Sequence, residues 1–182
     1  MYNYTLSQIA GGATLAFMVA SYFWRSKSAY LLFQIIGIIC LFFSYLFGEE
    51  YFAMIAITVS LSRTLTFFLY EKKDKEAPIA LSFLFAALTV GAYGVINMVI
   101  LDTAKPLDIL YLCAQVGYAF VFRIRNIKLV RYTVTVPHAF AIAYNLLLGN
   151  MLFVAVSYGF ELLADLFAII KYDFMGRRTE KS

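Results

Sequence analysis

Seven long apolar runs, separated by short polar breaks, dominate the sequence of 182 residues. Each run is close to the roughly 20 residues that a helix needs to cross about 30 Å of hydrocarbon. The alternation of a membrane β-strand, with a period of two, does not occur in them. The predicted spans are 5–24, 29–47, 51–70, 78–101, 109–122, 129–148 and 151–170. The sequence therefore predicts an all-α membrane protein with seven transmembrane helices, forming a single integral membrane domain over residues 1–182.

The basic residues are distributed unevenly between the two sides of these spans. The first, third and fifth breaks and the C-terminus hold 13 of the 15 lysines and arginines. Because positive charge in short loops favours the cytoplasmic side, we predict a multi-pass protein with its N-terminus outside and its C-terminus in the cytoplasm. The net charge of +4 follows from this asymmetry. The expected partner is therefore the lipid bilayer with its anionic headgroups, and not nucleic acid.

The first three spans correspond to the last three at a constant offset of 101 residues. At this offset Gly48 falls on Gly149 and Lys27 on Lys128, and the order of helix, basic loop, helix, glycine turn and helix recurs. The predicted organisation is a first three-helix bundle at 1–72, a linker helix at 73–106, a second three-helix bundle at 107–173 and a cytoplasmic tail at 174–182. Parallel repeats of this kind form transporter sites near the membrane midplane, where the two repeats meet.

Three ionisable side chains lie inside the predicted spans: Arg63, Glu161 and Asp165. A charge at the bilayer centre costs at least about 2.5–3.5 kcal/mol on insertion scales, so we expect these groups to be paired. Helical rise places Glu161, Arg63 and Asp165 about 16, 20 and 22 Å from the outer turns. We predict that Arg63 bridges the two carboxylates in a forked geometry. The cluster is either a structural clamp between the bundles, or a site whose spare carboxylate takes up a proton or meets a cationic substrate.

Other polar groups within the spans complete the predicted site. His138 is the only histidine, and it either titrates or contacts a ligand, or is satisfied by a neighbouring helix. Pro137 removes a backbone hydrogen bond from the sixth span, and Gly37 aligns with His138, so both are predicted hinge positions. The remaining candidates for solute binding are Gln34, Ser60, Tyr144 and Asn145, and a role as interhelical glue is the alternative for Asn145.

Short motifs in both halves carry a family resemblance. The second half contains Pro137, Tyr144, Asn145, Gly149, Glu161 and the run Lys171 to Asp173, and the first half contains Gln34, Gly37, Gly48, Ser60 and Arg63. This pattern resembles the YgjV-type bacterial inner-membrane proteins, which implies the bacterial inner (plasma) membrane as the location. More distantly, the three-plus-one-plus-three layout resembles the SWEET sugar transporters and the PnuC vitamin-precursor transporters. Ile36 stands where a partner for Pro137 would align, so that resemblance does not imply a proline-hinged sugar pocket.

Together these features predict a transporter that moves a small polar solute, such as a vitamin, nucleoside, sugar or amino acid, by alternating access between the two repeats. The alternative is a membrane binding or assembly protein that uses the same fold without transport. No nucleophile, base or metal motif stands at a membrane edge, so we expect neither an enzyme nor a cofactor. Ala87, Gly91 and Gly94 form a small-residue face on the fourth span, which makes a homo-oligomer a further expectation.

Overall fold

The computed structural model describes residues 2–47, 51–95, 106–148 and 152–171, except for the side chains of 2–4, 51–53, 55, 145, 148 and 152–155. Seven α-helices and their connections make up these ranges, which contain no strand. The helices are α1 (Tyr2–Ser21), α2 (Lys27–Phe47), α3 (Tyr51–Lys72), α4 (Ile79–Tyr93), α5 (Asp108–Val121), α6 (Ile127–Leu148) and α7 (Leu152–Ala168). The predicted all-α class with seven helices is confirmed, and each helix falls on one of the predicted apolar runs.

Local hydrogen bonds explain where several helices begin and end. Ser26 and Asn126 are the N-caps of α2 and α6, because their side-chain oxygens accept backbone N–H bonds of 3.1 and 3.0 Å from the first turn. Asp74 follows α3 in the left-handed region with a φ of 52°. The amide of Lys75 then donates to the carbonyl of Tyr70 at 3.0 Å. This arrangement closes α3 with a Schellman motif, in which Asp74 takes the position usually held by glycine.

Helix–helix contacts connect all seven helices. Each helix contacts its neighbours in the chain, and α7 also contacts α1. The loops at 22–26, 73–78 and 122–126 meet at one end of the bundle, which we name the basic end. There Lys27 Nζ donates to the carbonyl of Arg123 at 3.4 Å, and Arg123 Nε donates to the carbonyl of Ala77 at 2.8 Å. The first, third and fifth breaks of the sequence therefore lie together.

Polar and apolar side chains are arranged in the reverse of a water-soluble protein. Leu69, Phe83 and Leu163 are 53%, 58% and 62% exposed on the outer surface, while Arg63 and Asp165 are buried inside. By length and apolar composition, α2 is the one helix within the described ranges that could cross a membrane. The crossing of a membrane by all seven spans, and their division into two repeats and a linker, stay predictions.

Candidate functional site

A central cavity lies between the helices. Its volume of about 40 Å³ has room for about three water-sized groups. Six of the seven helices contribute to its wall, and α4 does not. The lining residues are Met18, Tyr22, Gln34, Ile38, Leu41, Ile57, Ser60, Arg63, Gln115, Tyr118, Phe122, His138, Tyr158 and Glu161. Five of the predicted site residues therefore meet at one place, namely Gln34, Ser60, Arg63, His138 and Glu161.

His138 and Glu161 form a buried pair on this wall. The Nδ1 atom of His138 lies 2.8 Å from the carbonyl of Val134, which can only accept, so Nδ1 carries a proton and donates it. The Nε2 atom of His138 lies 3.0 Å from Oε2 of Glu161. A contact of this length needs a proton between the two atoms, because two bare acceptors would repel each other. The pair therefore shares one proton and has no net charge, whichever atom holds that proton.

Three tyrosines surround the His138 ring. The hydroxyl of Tyr22 lies 3.2 Å from His138 Nε2, the same atom that contacts Glu161. The rings of Tyr22, Tyr118 and Tyr158 approach the imidazole edge to face, with centroids 6.0, 5.5 and 5.9 Å away. The sequence analysis did not identify these tyrosines, because they are ordinary members of aromatic-rich spans. Their arrangement fixes the orientation of the imidazole toward Glu161.

Arg63 has different partners from those predicted. Its Nη1 atom donates to the carbonyl of Gln115 at 2.8 Å, and the guanidinium lies over the rings of Tyr118 and Phe122, with centroid distances of 5.8 and 5.4 Å. No carboxylate in the described part of the chain lies within 4.0 Å of it. The predicted fork from Arg63 to the two acids is therefore wrong. A carbonyl and two aromatic faces stabilise this cation, and the base that contacts Glu161 is His138.

Hydrogen bonds between neutral polar side chains link the helices that form the cavity wall. Ser60 Oγ donates to Oε1 of Gln115 at 2.8 Å, which joins α3 to α5. Gln34 Nε2 donates to Oγ of Ser21 at 2.9 Å, which joins α2 to the end of α1. Gln115 was not identified from the sequence, although an intramembrane amide is a recognisable signal. Its carbonyl and its side chain bring the predicted residues Arg63 and Ser60 together.

Asp165 lies close to this site but not on the cavity wall. It is buried one turn beyond Glu161 on α7, and its Oδ2 atom accepts a hydrogen bond from Thr135 Oγ1 at 3.4 Å. The predicted triad of Arg63, Glu161 and Asp165 is therefore divided between two environments. Arg63 and Glu161 face the same cavity, while Asp165 faces the α6 side chain of Thr135.

Tyr144 belongs to a separate polar cluster at the opposite end from the basic loops. Its hydroxyl lies 3.4 Å from Oδ1 of Asp108, and the hydroxyl of Tyr93 donates to Oδ2 of Asp108 at 2.8 Å. Tyr144 is therefore separate from the central cavity, and its role in solute binding stays a prediction. Asn145 lies in α6 at this level, and its side chain is outside the described part of the structure.

The two predicted hinge residues are close-packing positions. A Cβ atom on Gly37 would come within 3.0 Å of Cγ of Met18, so the missing side chain lets α1 and α2 approach. Pro137 lies within α6 and packs against Gly117 of α5, where an added Cβ would come within 3.1 Å of the proline Cβ. Met18 lines the cavity, so Gly37 borders the site. Whether either residue acts as a hinge stays a prediction.

An aromatic layer separates the cavity from the basic end. The rings of Tyr22 and Tyr30 are 5.6 Å apart, and those of Tyr30 and Phe122 are 6.0 Å apart, both edge to face. We use the name aromatic layer for Tyr22, Tyr30 and Phe122. All three are buried. Tyr22 and Phe122 line the cavity and are also the first residues of the loops at 22–26 and 122–126.

Ionic contacts cross the basic end beyond this layer. Lys27 is buried and lies 3.5 Å from Glu71. Arg123 pairs with Glu76 at 2.8 Å, and Arg125 pairs with Asp74. These pairs connect α2, the end of α3 and the following loop to the loop after α5. The sequence analysis treated the acidic and basic residues of these breaks only as indicators of topology.

Arg131 is a second buried arginine, and the sequence analysis counted it only as a loop charge. It lies in the second turn of α6 and donates from Nη2 to the carbonyls of Tyr22 and Trp24, at 3.3 and 2.8 Å. Carbonyls at the end of a helix lack intrahelical partners, so Arg131 stabilises the end of α1. Its position near a predicted span boundary concealed its burial.

Comparison with known proteins identifies the family. No curated protein and no solved structure matches the chain, so the distant resemblance to the SWEET and PnuC transporters stays an expectation. A family model, Imp-YgjV, with the description "Bacterial inner membrane protein", matches residues 5–174. The matched range includes all the residues that line the cavity and the ion pairs of the basic end. The chain therefore belongs to the Imp-YgjV family of bacterial inner membrane proteins.

Proposed function

We propose that this inner membrane protein is a multi-pass transporter that carries a small polar solute by alternating access. The observation that carries the proposal is the central cavity, in which six helices bring Arg63, His138 and Glu161 together. Ionisable groups inside membrane helices are costly, and they commonly mark substrate or proton pathways. The predicted solute classes, namely vitamins, nucleosides, sugars and amino acids, are the starting point for its identification.

The outer surface and the charge distribution support a position across the membrane. Large apolar side chains cover the outside of the bundle, as lipid contact requires, and the polar groups face inward. The basic loops lie together at one end, and we assign this end to the cytoplasm. The N-terminus is then outside and the C-terminus cytoplasmic, with seven crossings between them.

The offset of 101 residues supports two parallel repeats around the cavity. At this offset Ile57 of α3 falls on Tyr158 of α7, and Ser60 falls on Glu161. All four side chains line the cavity. The third helix of each proposed repeat thus presents matching positions to the same space. Transporter sites form where such repeats meet, and α4 serves as the linker that contacts α3 and α5.

The closed basic end suggests how access would alternate. We infer that the aromatic layer and the Lys27–Glu71 pair, in which Lys27 is buried, close the cavity toward the proposed cytoplasmic side. Rocking of one repeat against the other would separate Tyr22 and Tyr30, which lie in the first repeat, from Phe122 in the second. A solute released in this way would pass between α2 and α5. The proposed cycle therefore alternates between this closed arrangement and one that is open at the basic end.

Uptake into proteoliposomes tests the proposal. Purified protein is reconstituted and screened with radiolabelled amino acids, nucleosides, sugars, vitamins and short carboxylates, with empty liposomes as the baseline. We expect saturable uptake of at least one probe, and we expect Glu161→Gln to reduce it about tenfold or more because the shared proton loses its acceptor. Glu76→Gln is the matched control, since it makes the same change in an exposed pair that contributes little.

The alternative function is a membrane binding or assembly protein that does not transport. The small cavity and the links across it, from Arg63 to Gln115 and from His138 to Glu161, favour this reading. In that case Glu161→Gln lowers thermal stability, while the wild-type protein takes up no probe above the baseline. Saturable uptake by the wild type excludes the alternative.

Self-association through α4 is part of the proposal. A Cβ atom added to Gly91 or Gly94 would meet nothing within 4 Å in the described part of the structure, so this small-residue face is open to a second copy. Replacing Gly91 by Leu should then reduce crosslinking between copies in membranes. Unchanged crosslinking in that variant would contradict the use of this face.

A further inference from the structure

The charges on the cavity wall do not balance. The His138–Glu161 pair shares one proton and contributes no net charge, as derived above from its contacts. The tyrosine, glutamine and serine side chains on the wall are neutral near pH 7. Among the described residues of the wall, Arg63 is then the one that adds a net charge, and that charge is positive. An uncompensated charge in a medium of low dielectric constant is costly, so an anionic occupant would be stabilised there.

The contacts of Arg63 leave its donors available to such an occupant. The side chain is 2% exposed and lines the cavity. Its Nε atom is buried, with no hydrogen-bond partner in the described part of the structure, so the terminal Nη atoms are the ones that can reach an occupant. Of the five N–H donors of a guanidinium, one is used, in the bond from Nη1 to the carbonyl of Gln115. Tyr118 and Phe122 lie against the faces of the guanidinium, which leaves its donor edge free. That edge matches the two oxygens of a planar anion.

Neighbouring groups extend this donor surface. Oε1 of Gln115 accepts from Ser60, and the amide of Gln115 donates one N–H to the Tyr111 hydroxyl, which leaves its second N–H for an occupant of the cavity. Gln34 uses one amide N–H for Ser21 and has a second one available. The cavity of about 40 Å³ limits the occupant in this conformation to a group of about three or four heavy atoms. Formate and acetate have this size and the required planar carboxylate.

We propose that Arg63, Gln115 and Gln34 form a binding site for a small planar monoanion of the carboxylate type. This inference rests on the proposed function, because it names the anionic group by which the transporter recognises its solute. It replaces the expectation of a cationic substrate. That expectation assumed that Arg63 faces both Glu161 and Asp165 and leaves one carboxylate spare, whereas Glu161 has a basic partner in His138 and Asp165 is not on the cavity wall.

Equilibrium binding of ¹⁴C-formate to the purified protein in lipid nanodiscs tests the site at constant ionic strength, with gluconate as the replacing anion. Formamide is the neutral probe of the same shape. We expect saturable formate binding, competition by acetate and no competition by formamide. Arg63→Gln should weaken formate binding about tenfold or more, because a charge-assisted bidentate contact is lost. Lys73→Gln removes the same charge from an exposed loop and should leave binding unchanged.

Two results would overturn the site. One is equal competition by formamide and acetate in the wild-type protein, a comparison that does not depend on any variant folding. The other is unchanged formate affinity in folded Arg63→Gln. The proteoliposome screen tests transport independently of this site. If the protein binds formate but takes up no probe, the transport proposal is wrong and the proposal of an anion site stands. If the protein takes up only neutral solutes and does not bind formate, the transport proposal stands and the proposal of an anion site is wrong.

Discussion

Arg63 and Arg131 are both buried, at 2% and 1% exposure, yet they occupy regions of different character. Arg131 lies beside the basic end and donates to the carbonyls of Tyr22 and Trp24, where α1 has ended. Arg63 lies on the cavity wall, where it donates to one carbonyl and lies over two aromatic rings. A buried arginine therefore binds backbone carbonyls beside the basic end, and another buried arginine lines the central cavity.

The comparison shows that burial alone does not identify a functional arginine. What distinguishes the two is where their donors point: to helix-terminal carbonyls at Arg131, and partly into a cavity at Arg63. A residue that satisfies backbone groups should affect stability when it is replaced. A residue that faces a cavity should affect binding more than stability. We expect the change in the free energy of unfolding to be largest for Arg131→Gln and smallest for Arg63→Gln.

Arg131→Gln should give the largest loss of stability. The charged donor to two carbonyls is lost, and the shorter amide cannot reach both. We expect the free energy of unfolding to fall by about 3 kcal/mol, since hydrogen bonds to charged groups contribute about 1.5–3 kcal/mol each. Denaturant titration in bicelles checks this value. A loss below that of Arg63→Gln would reverse the comparison.

The His138–Glu161 pair should show the next largest effect, measured as a coupling energy. A double-mutant cycle of His138→Asn and Glu161→Gln should give about 1.5–3 kcal/mol, because the two groups share a buried proton. The same cycle between Arg63→Gln and Glu161→Gln should give less than about 0.5 kcal/mol, since these groups do not contact each other. Similar coupling in both cycles would restore the predicted fork between Arg63 and Glu161.

Gly37→Ala tests the packing of the cavity wall. The added Cβ would come within 3.0 Å of Met18 Cγ, so Met18 must move. We expect a loss of about 1–2 kcal/mol in the free energy of unfolding. Gly12→Ala is the matched control on α1, where a Cβ meets nothing within 4 Å, and it should stabilise the helix by up to about 1 kcal/mol. Equal effects in the two variants would exclude the close contact at Gly37.

Arg63→Gln should change stability least while it removes formate binding. The bond to the carbonyl of Gln115 is lost, but an uncompensated charge also leaves the cavity, and the two effects offset each other. We expect the free energy of unfolding to change by less than about 1 kcal/mol in either direction. Thermal denaturation of the nanodisc preparations used for binding measures it. A loss as large as that of Arg131→Gln would make Arg63 a structural residue.

Much of the fold could be predicted from the sequence because apolar runs and their polar breaks are strong signals. Each of the seven helices lies on a predicted run, and α5, the shortest described, lies on the shortest one. It could also be predicted that polar residues of different spans meet at one site, since polar residues within apolar spans are few. Those that meet at the cavity are Gln34, Ser60, Arg63, His138 and Glu161. Their depth along the helix axes follows from their sequence positions.

The partners of these residues could not be predicted, because depth does not determine rotation about a helix axis. The offset of 101 residues predicted that Arg63 lies at the same depth in the membrane as Glu161 and Asp165. It did not determine which side chains Arg63 contacts at that depth. The expectation that a buried cation needs a carboxylate omitted carbonyls and aromatic faces, which Gln115, Tyr118 and Phe122 supply. Arg131 was missed because a basic residue near a span boundary usually indicates a loop. Tyr144 and His138 lie on the same helix but in different polar regions, which sequence position alone does not separate.

The most direct test of the transport proposal is the accessibility of the cavity from either side of the membrane. Cys40 and Cys113 are free thiols and are first replaced by serine, after which Ser60→Cys places one thiol on the cavity wall. We expect a membrane-impermeant thiol reagent to modify this cysteine from one side, and solute to change the rate. Leu69→Cys on the outer surface should stay unmodified. A Ser60→Cys protein that reacts from neither side, with or without solute, would contradict the account.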